Sequence, residues 1–250
     1  MAALGGLFGV VSTVHAETLT VGAAHSLRAP FAEIVPMFEK EHGAKVEVVY
    51  GPSQTLRQQI EKGTSIDVFL PESVEEVERL QKKGLTLGGT PRIFAQTSPV
   101  LVTATTSTAI AVAFRDVLPD RAIRIALVDP RTSALGGVTA RALMKIDPSY
   151  RTRAQLLHGQ HSDEVVDLVR TGQADVGIVY RVDAINSGDV RIVDEAPTGR
   201  HMPVQFGQAV VWTCRNSSQN IAEGFLDFMM SPRVQKLLLK YGFEPVTSKG

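Results

Sequence analysis

From residue 17 onward, short β-rich apolar runs alternate with amphipathic helical stretches, and this alternation limits the fold more than any other feature of the chain. Strand-then-helix repetition calls for a sheet whose crossovers lay helices on its faces, the α/β class. Residues 18–22 read as a strand, 27–42 as a helix ended by Gly43, and 45–50 as the next strand. Pro36 is expected to bend or interrupt that helix, because proline removes a backbone donor. A helix over 54–62, a strand over 67–70 and a charged helix over 73–83, stopped by Gly84, complete a βαβαβα series. Right-handed crossovers accommodate such a series in a parallel sheet.

A loop containing Gly88, Gly89 and Pro91 leads to a second series, which opens on an apolar strand near 98–103, and the lobe boundary is placed there. Strands are expected at 123–128, 176–180 and 190–193, with helical segments at 139–145 and 162–170. The apolar run 209–213 is a candidate return strand, and helices over 221–230 and 233–240 close the chain. No internal repeat or low-complexity segment is visible. A chain of 250 residues, 44% hydrophobic, can build one large α/β domain or two lobes.

Charge narrows the function. Twenty-six basic residues balance twenty-six acidic ones, so no global positive field points to nucleic acid or an anionic membrane, and an anion site must be local. The single cysteine, Cys214, excludes an internal disulfide and any multi-cysteine zinc site, and a buried inert thiol is its expected state. Residues 1–16 are small and apolar and end in Val14-His15-Ala16, the pattern of a signal peptide. Export to the periplasm follows, with a mature chain starting at Glu17 and not inserted in the membrane.

Searches for catalytic motifs fail: the sequence lacks G-x-S-x-G, a Walker loop, H-E-x-x-H, C-x-x-C and G-x-G-x-x-G. His158 and His161 form an H-x-x-H pair, but they straddle a glycine before a helix and lack further ligands, so a structural or exposed role is the better reading. The informative signal is a serine after two strands, Ser26 in GAAHSL and Ser53 in YGPSQTL. Each is expected to be the N-cap of the following helix, at the carboxyl edge where α/β sheets bind ligands. Cap hydroxyls and free helix N–H groups together suit an anion, although either serine alone reads simply as a cap.

In combination, AA-x-SL, S-x-TL-x-x-QI-x-x-G, DPRTSALGGVTARALM, GIVY-x-x-DA and YGF resemble the periplasmic molybdate-binding proteins of ABC transporters, in order and spacing, over about residues 18–243. The resemblance implies a two-lobe periplasmic-binding-protein fold, each lobe a mainly parallel sheet flanked by helices, with the ligand cleft between lobes. It divides the chain into a discontinuous lobe I, residues 17–97 and 207–250, and lobe II, residues 98–206. It also implies a binding protein and not an enzyme, a monomer that needs no cofactor and delivers molybdate or tungstate to a membrane permease.

The oxyanion contacts carried over by the resemblance are the hydroxyls and N–H groups of Ser26 and Ser53, backbone donors at Leu135, beside Ala134, and at Ser162, and the phenol of Tyr180. Molybdenum would be held only as its oxyanion, through these five residues. Such an all-donor site suits an ion that offers only acceptors, and it disfavours protonated phosphate, whose O–H it leaves unpaired. The chain departs from the family pattern at His25, Arg28 and Pro52, and Asp163 and Glu164 follow Ser162. Two alternatives remain: a binder of sulfate, phosphate or a small carboxylate that uses Arg28 or Arg57 as counterion, and a secreted hydrolase or transferase.

Overall fold

The computed structural model describes residues 17–246 except 109–112, 119, 121, 132, 154, 196–202 and 245, so the expected signal peptide lies outside the described residues. The chain opens with β1 (Thr18–Ala23), a 3₁₀ turn (His25–Leu27), α1 (Arg28–His42), β2 (Lys45–Tyr50), α2 (Ser53–Glu61), β3 (Val68–Leu70), α3 (Val74–Lys82) and β4 (Thr86–Thr97). It continues through β5 (Pro99–Ala104), α4 (Phe114–Val117), β6 (Arg124–Val128), α5 (Ala134–Ile146), α6 (Tyr150–Arg153) and β7 (Gln155–Gly159). Then come α7 (Ser162–Arg170), β8 (Val176–Tyr180), α8 (Arg181–Ser187), β9 (Val190–Glu195), β10 (Val204–Val211), a second 3₁₀ turn (Asn216–Ser218), α9 (Gln219–Met229) and α10 (Pro232–Lys240).

These strands form two five-stranded sheets, ordered β2-β1-β3-β10-β4 and β7-β6-β8-β5-β9. In each sheet one strand, β10 or β5, runs against the other four. The first sheet therefore receives a late strand, β10, from beyond the whole second sheet. We refer to the two sheets with their helices as the first and second lobes.

Three local expectations need correction. The Gly88, Gly89 and Pro91 stretch is not a loop but part of the long strand β4. That strand lies at the sheet edge with β10 as its single partner, so the missing N–H of Pro91 is tolerated, and a register shift opposite Gln208 and Val210 accommodates Gly88 at φ 84°. Helix α1 continues unbroken through Pro36. Pro36 and Ala32, whose carbonyl loses its partner, are both exposed, so water can satisfy that oxygen, while Ile34 and Phe38 anchor the helix on its buried side. The return strand starts at Val204, earlier than the apolar run implies, and β7 is a strand the periodicity did not reveal. Gln155-Leu-Leu-His-Gly has no β-branched residue and sits half-exposed at a sheet edge, where pairing with β6 decides its conformation.

Aromatic packing fixes the layers. Phe38 of α1 meets Phe225 of α9 edge-on, with ring centroids 4.9 Å apart, and each fully buried ring contributes roughly 1.5–3 kcal/mol. Phe206 of β10 contacts Phe94, Phe243 and, from the second lobe, Tyr180, at 6.2, 5.3 and 6.0 Å between centroids. Gly136 lets α5 approach the end of β6: a Cβ there would lie 2.5 Å from the Val128 carbonyl oxygen. The backbone leading into α5 is thus pinned at the end of a strand.

Candidate functional site

Four of the five singled-out residues follow the carboxyl ends of strands and the fifth, Tyr180, is the last residue of β8, as the alternation requires. Their local roles differ from expectation. Ser26 is not the N-cap of α1: it lies in the 3₁₀ turn, and Leu27 precedes the helix. Ser53 is not an N-cap either; it is the first residue of α2, and Pro52, with φ −58°, holds the cap position and accepts the Leu56 N–H through its carbonyl. Neither hydroxyl is engaged in capping, so both are free for other partners. Ser26 Oγ donates to Asp183 Oδ2 at 3.1 Å, and Ser53 Oγ accepts the backbone N–H of Glu72 at 3.0 Å, which leaves its own proton to donate.

The centre of the cluster is a residue outside the expected set. Glu72 follows β3 and is buried, and its Oε2 accepts from Ser133 Oγ at 3.1 Å and from the Tyr180 hydroxyl at 3.2 Å. Ser133, in turn, is the true cap of α5: its Oγ accepts the Leu135 N–H at 3.2 Å. The Leu135 donor is therefore already engaged within the loop. That loop is held by Asp129, whose carboxyl pairs with Arg131 and is lowered to about 2, chiefly by the hydrogen bonds from Arg131.

Asp183, half-buried in the first turn of α8, is the second carboxyl of the cluster. Burial pushes its pKa up to about 7; the charges of Glu72 and Asp163 push the same way, while the hydroxyls of Ser162 and Ser26 oppose the rise. Ser162 Oγ is buried and reaches no partner at full hydrogen-bond geometry, although its hydroxyl acts on Asp183. Burial likewise raises Glu72, against the hydroxyls of Ser133 and Tyr180. The Tyr180 phenol is held well above its ordinary range by burial and by Glu72, so it stays protonated and keeps a proton to donate at neutral pH. Ser26–Asp183, Ser133–Glu72 and Tyr180–Glu72 all join the first lobe to the second. The lobes are shut on one another through carboxyl–hydroxyl contacts.

The candidate residues do not share one cavity. Ser53 and Ala134, with Ser133, line a space of about 620 Å³. Ser26 lines another of about 490 Å³ with His25, Arg28, Asp163 and Asp183. Leu135, Ser162 and Tyr180 are buried beside them. At the rim His25 and His161 face each other across the lobes, ring centroids 4.7 Å apart, and burial and the neighbouring His161 lower the His25 pKa. His158 is exposed on β7, and among the described residues no group of three metal-ligating side chains gathers around the H-x-x-H pair.

Of the two candidate counterions, Arg57 lines neither space, whereas Arg28 lines the one beside Ser26. Arg57 is buried and bonded to Glu76 and Glu61. Arg28 is exposed, with its guanidinium carbon 5.1 Å from the centre of the Tyr50 ring.

The sequence profile described as bacterial extracellular solute-binding protein matches residues 19–244. The chain belongs to this family. The molybdate-binding protein ModA of Haemophilus influenzae is 28% identical over 232 residues, spanning 90% of this chain and 89% of that protein. The periplasmic molybdate-binding protein of Azotobacter vinelandii superposes with a TM-score of 0.79 at 21% identity, over 92% of this chain and all of that one. The sulfate-binding protein SubI of Mycobacterium tuberculosis superposes equally well, with a TM-score of 0.80 at 20% identity over 93% of this chain and 88% of that one. The two-lobe periplasmic-binding fold is thereby shown, and as a solute-binding protein the chain is a carrier and not an enzyme.

Within this solute-binding protein, sequence reading missed Glu72, Asp183 and Ser133. Ser133 carried a signal, a serine just before a helix in DPRTSALGG. Asp183 stood in the quoted GIVY-x-x-DA motif without a role. Glu72 carried none, because an acid after an apolar strand ordinarily faces water.

Proposed function

We propose that this chain captures a tetrahedral oxyanion, molybdate or tungstate, between its lobes and delivers it to the membrane permease of an ABC transporter from the periplasm. The observation that carries the reading is the convergence of the Ser133 and Tyr180 hydroxyls, one on a helix cap and one at a strand end, on a single buried carboxyl oxygen of Glu72. Donors fixed so that they meet a negative oxygen away from water supply charge-assisted bonds of about 1.5–3 kcal/mol each. Ser26, Ser53 and Ser162 add hydroxyls around the same interlobe cluster, and the curated relatives named as molybdate-binding supply the ion. The lobe division at 97/98 belongs to the same proposal, as does action as a monomer; the return to the first lobe, expected at 206/207, falls before β10, which begins at Val204 and lies wholly in the first sheet.

The arginine alternative has less support: Arg57 is neutralised by two carboxylates, and Arg28 lies over Tyr50. The test is calorimetric titration of the ligand-stripped mature chain with molybdate, tungstate, sulfate and phosphate, together with thermal unfolding. Molybdate and tungstate are expected to stabilise by about 4 kcal/mol at a thousandfold excess over Kd, and sulfate by much less. Equal shifts for all four ions would refute the choice of ligand.

A further inference from the structure

A fully deprotonated oxyanion needs donors, yet this cluster contains a carboxyl at the point where its donors meet. Glu72 is 7% exposed, and two hydroxyls from the opposite lobe donate to one of its oxygens while the Ser53 hydroxyl accepts its backbone N–H. The titratable groups that act on it are Tyr180 at the end of β8, Asp163 on α7 and Asp183 on α8. No cation is among them. The cavity beside Ser53 is lined by four cations: Arg79, which pairs with Glu76, Arg131, which pairs with Asp129, and Arg141 and Lys145 of α5; none of them is bonded to Glu72, whose side-chain partners are the Ser133 and Tyr180 hydroxyls. A dianion brought against an ionised Glu72 would meet like charge in a desolvated setting, which opposes binding.

Resting on the oxyanion reading above, we infer that Glu72 determines which oxyanions this cleft accepts, by requiring that one proton enter with the ligand. An ion that offers only acceptors, such as molybdate, draws the proton from solvent onto a Glu72 carboxyl oxygen, which then donates to the ligand in company with Ser133 and Tyr180. A protonated oxyanion, such as monohydrogen phosphate, carries its own proton and donates it to the Glu72 carboxylate. The final arrangement is the same, one proton shared between carboxyl and oxyanion. Glu72 thus replaces the all-donor site implied by the family resemblance with one that also offers an acceptor, and the discrimination against protonated oxyanions is lost. Burial, which raises the Glu72 pKa, works in the same direction by making the proton easier to hold.

The experiment titrates the ligand-stripped mature chain with molybdate between pH 6 and pH 9, in buffers of different ionisation enthalpy. The expected result is uptake of about one proton per molybdate, with affinity falling roughly tenfold per pH unit on the alkaline side. Glu72→Gln keeps the shape of the side chain and should bind molybdate with no proton uptake and a flat profile, while Asp183→Asn should retain the uptake. Monohydrogen phosphate at pH 8 should bind wild type without uptake. If Glu72→Gln fails to fold, the wild-type profile decides alone. Molybdate binding by wild type without proton uptake, uptake that persists in Glu72→Gln, or uptake abolished by Asp183→Asn alone would overturn the role of Glu72 and leave the oxyanion reading standing. Failure of every oxyanion to bind both wild type and Glu72→Gln would overturn the oxyanion reading itself.

Discussion

Two buried clusters of charge lie close in the sequence and differ in kind. Around Arg57, on the outer helices α2 and α3, one guanidinium is shared by Glu61 and Glu76, and Lys83 adds a second cation 2.9 Å from Glu61. Around Glu72, between the lobes, three carboxyls gather: Glu72 and Asp183 receive hydrogen bonds from hydroxyls alone, and Asp163 adds its negative charge beside both. The first cluster balances its charge with its own side chains and has nothing left to offer a ligand. The second is left with excess negative charge and aimed hydroxyls, a state that a stability-only design would avoid, and this marks it as the place where function resides.

Breaking the first cluster should have the largest effect on stability. Arg57→Ala removes a side chain that is 10% exposed and leaves Glu61 and Glu76 only their peripheral partners Lys83 and Arg79, so unfolding by denaturant should show a loss of about 3 kcal/mol, the lower end for a broken buried pair. Ligand affinity of the folded fraction should be unchanged. A large drop in affinity with little loss of stability would place Arg57 in the site and erase the contrast.

The second cluster should respond in the opposite sense. Asp183 titrates at about 7 in the folded chain against an ordinary 3.8, so the folded state holds a proton that the unfolded state releases. Stability is therefore greatest below about pH 4 as far as this group is concerned, and is lost as pH rises toward 7. Between pH 5 and pH 7 the loss is up to about 2.7 kcal/mol, at about 1.4 kcal/mol per pH unit. Asp183→Asn removes that slope, so the melting temperature of the unliganded variant should fall less over this interval than that of wild type. Parallel curves would show that Asp183 is not the strained group the geometry makes it.

Tyr180→Phe sharpens the contrast within the site. Removing one aimed donor should weaken oxyanion binding by about 2 kcal/mol, roughly thirtyfold, with the ring still packed on Phe206. Ser26→Ala and Ser53→Ala should act in the same direction, and unaltered titrations for all three variants would dismantle the cluster as a binding site. The smallest effect belongs to Arg28→Ala: its exposed guanidinium should contribute less than about 1 kcal/mol to affinity. A loss above roughly 3 kcal/mol would make Arg28 a direct counterion and restore the carboxylate or phosphate alternative.

What the sequence determined by itself was the class of fold and the edge at which a ligand binds. Periodicity is a local property, and the helix Ser162–Arg170 and the strand Val176–Tyr180 are each readable from a window of their own residues. The serine turns could be placed at strand ends for the same reason. Strands β7 and β4 were less legible, because an edge strand is held by its neighbour and not by its own composition. The tertiary structure decided what the candidate residues do. Ser26 and Ser53 read as caps until partners 157 and 19 residues away, Asp183 and Glu72, gave their hydroxyls other roles. Glu72 itself is an unremarkable acid in sequence. Only closing the second lobe over it withdraws it from water and brings Ser133 and Tyr180, 61 and 108 residues distant, onto one of its oxygens. The energy of a buried charge depends on everything that replaces its water, and those replacements come from parts of the chain that no local pattern connects.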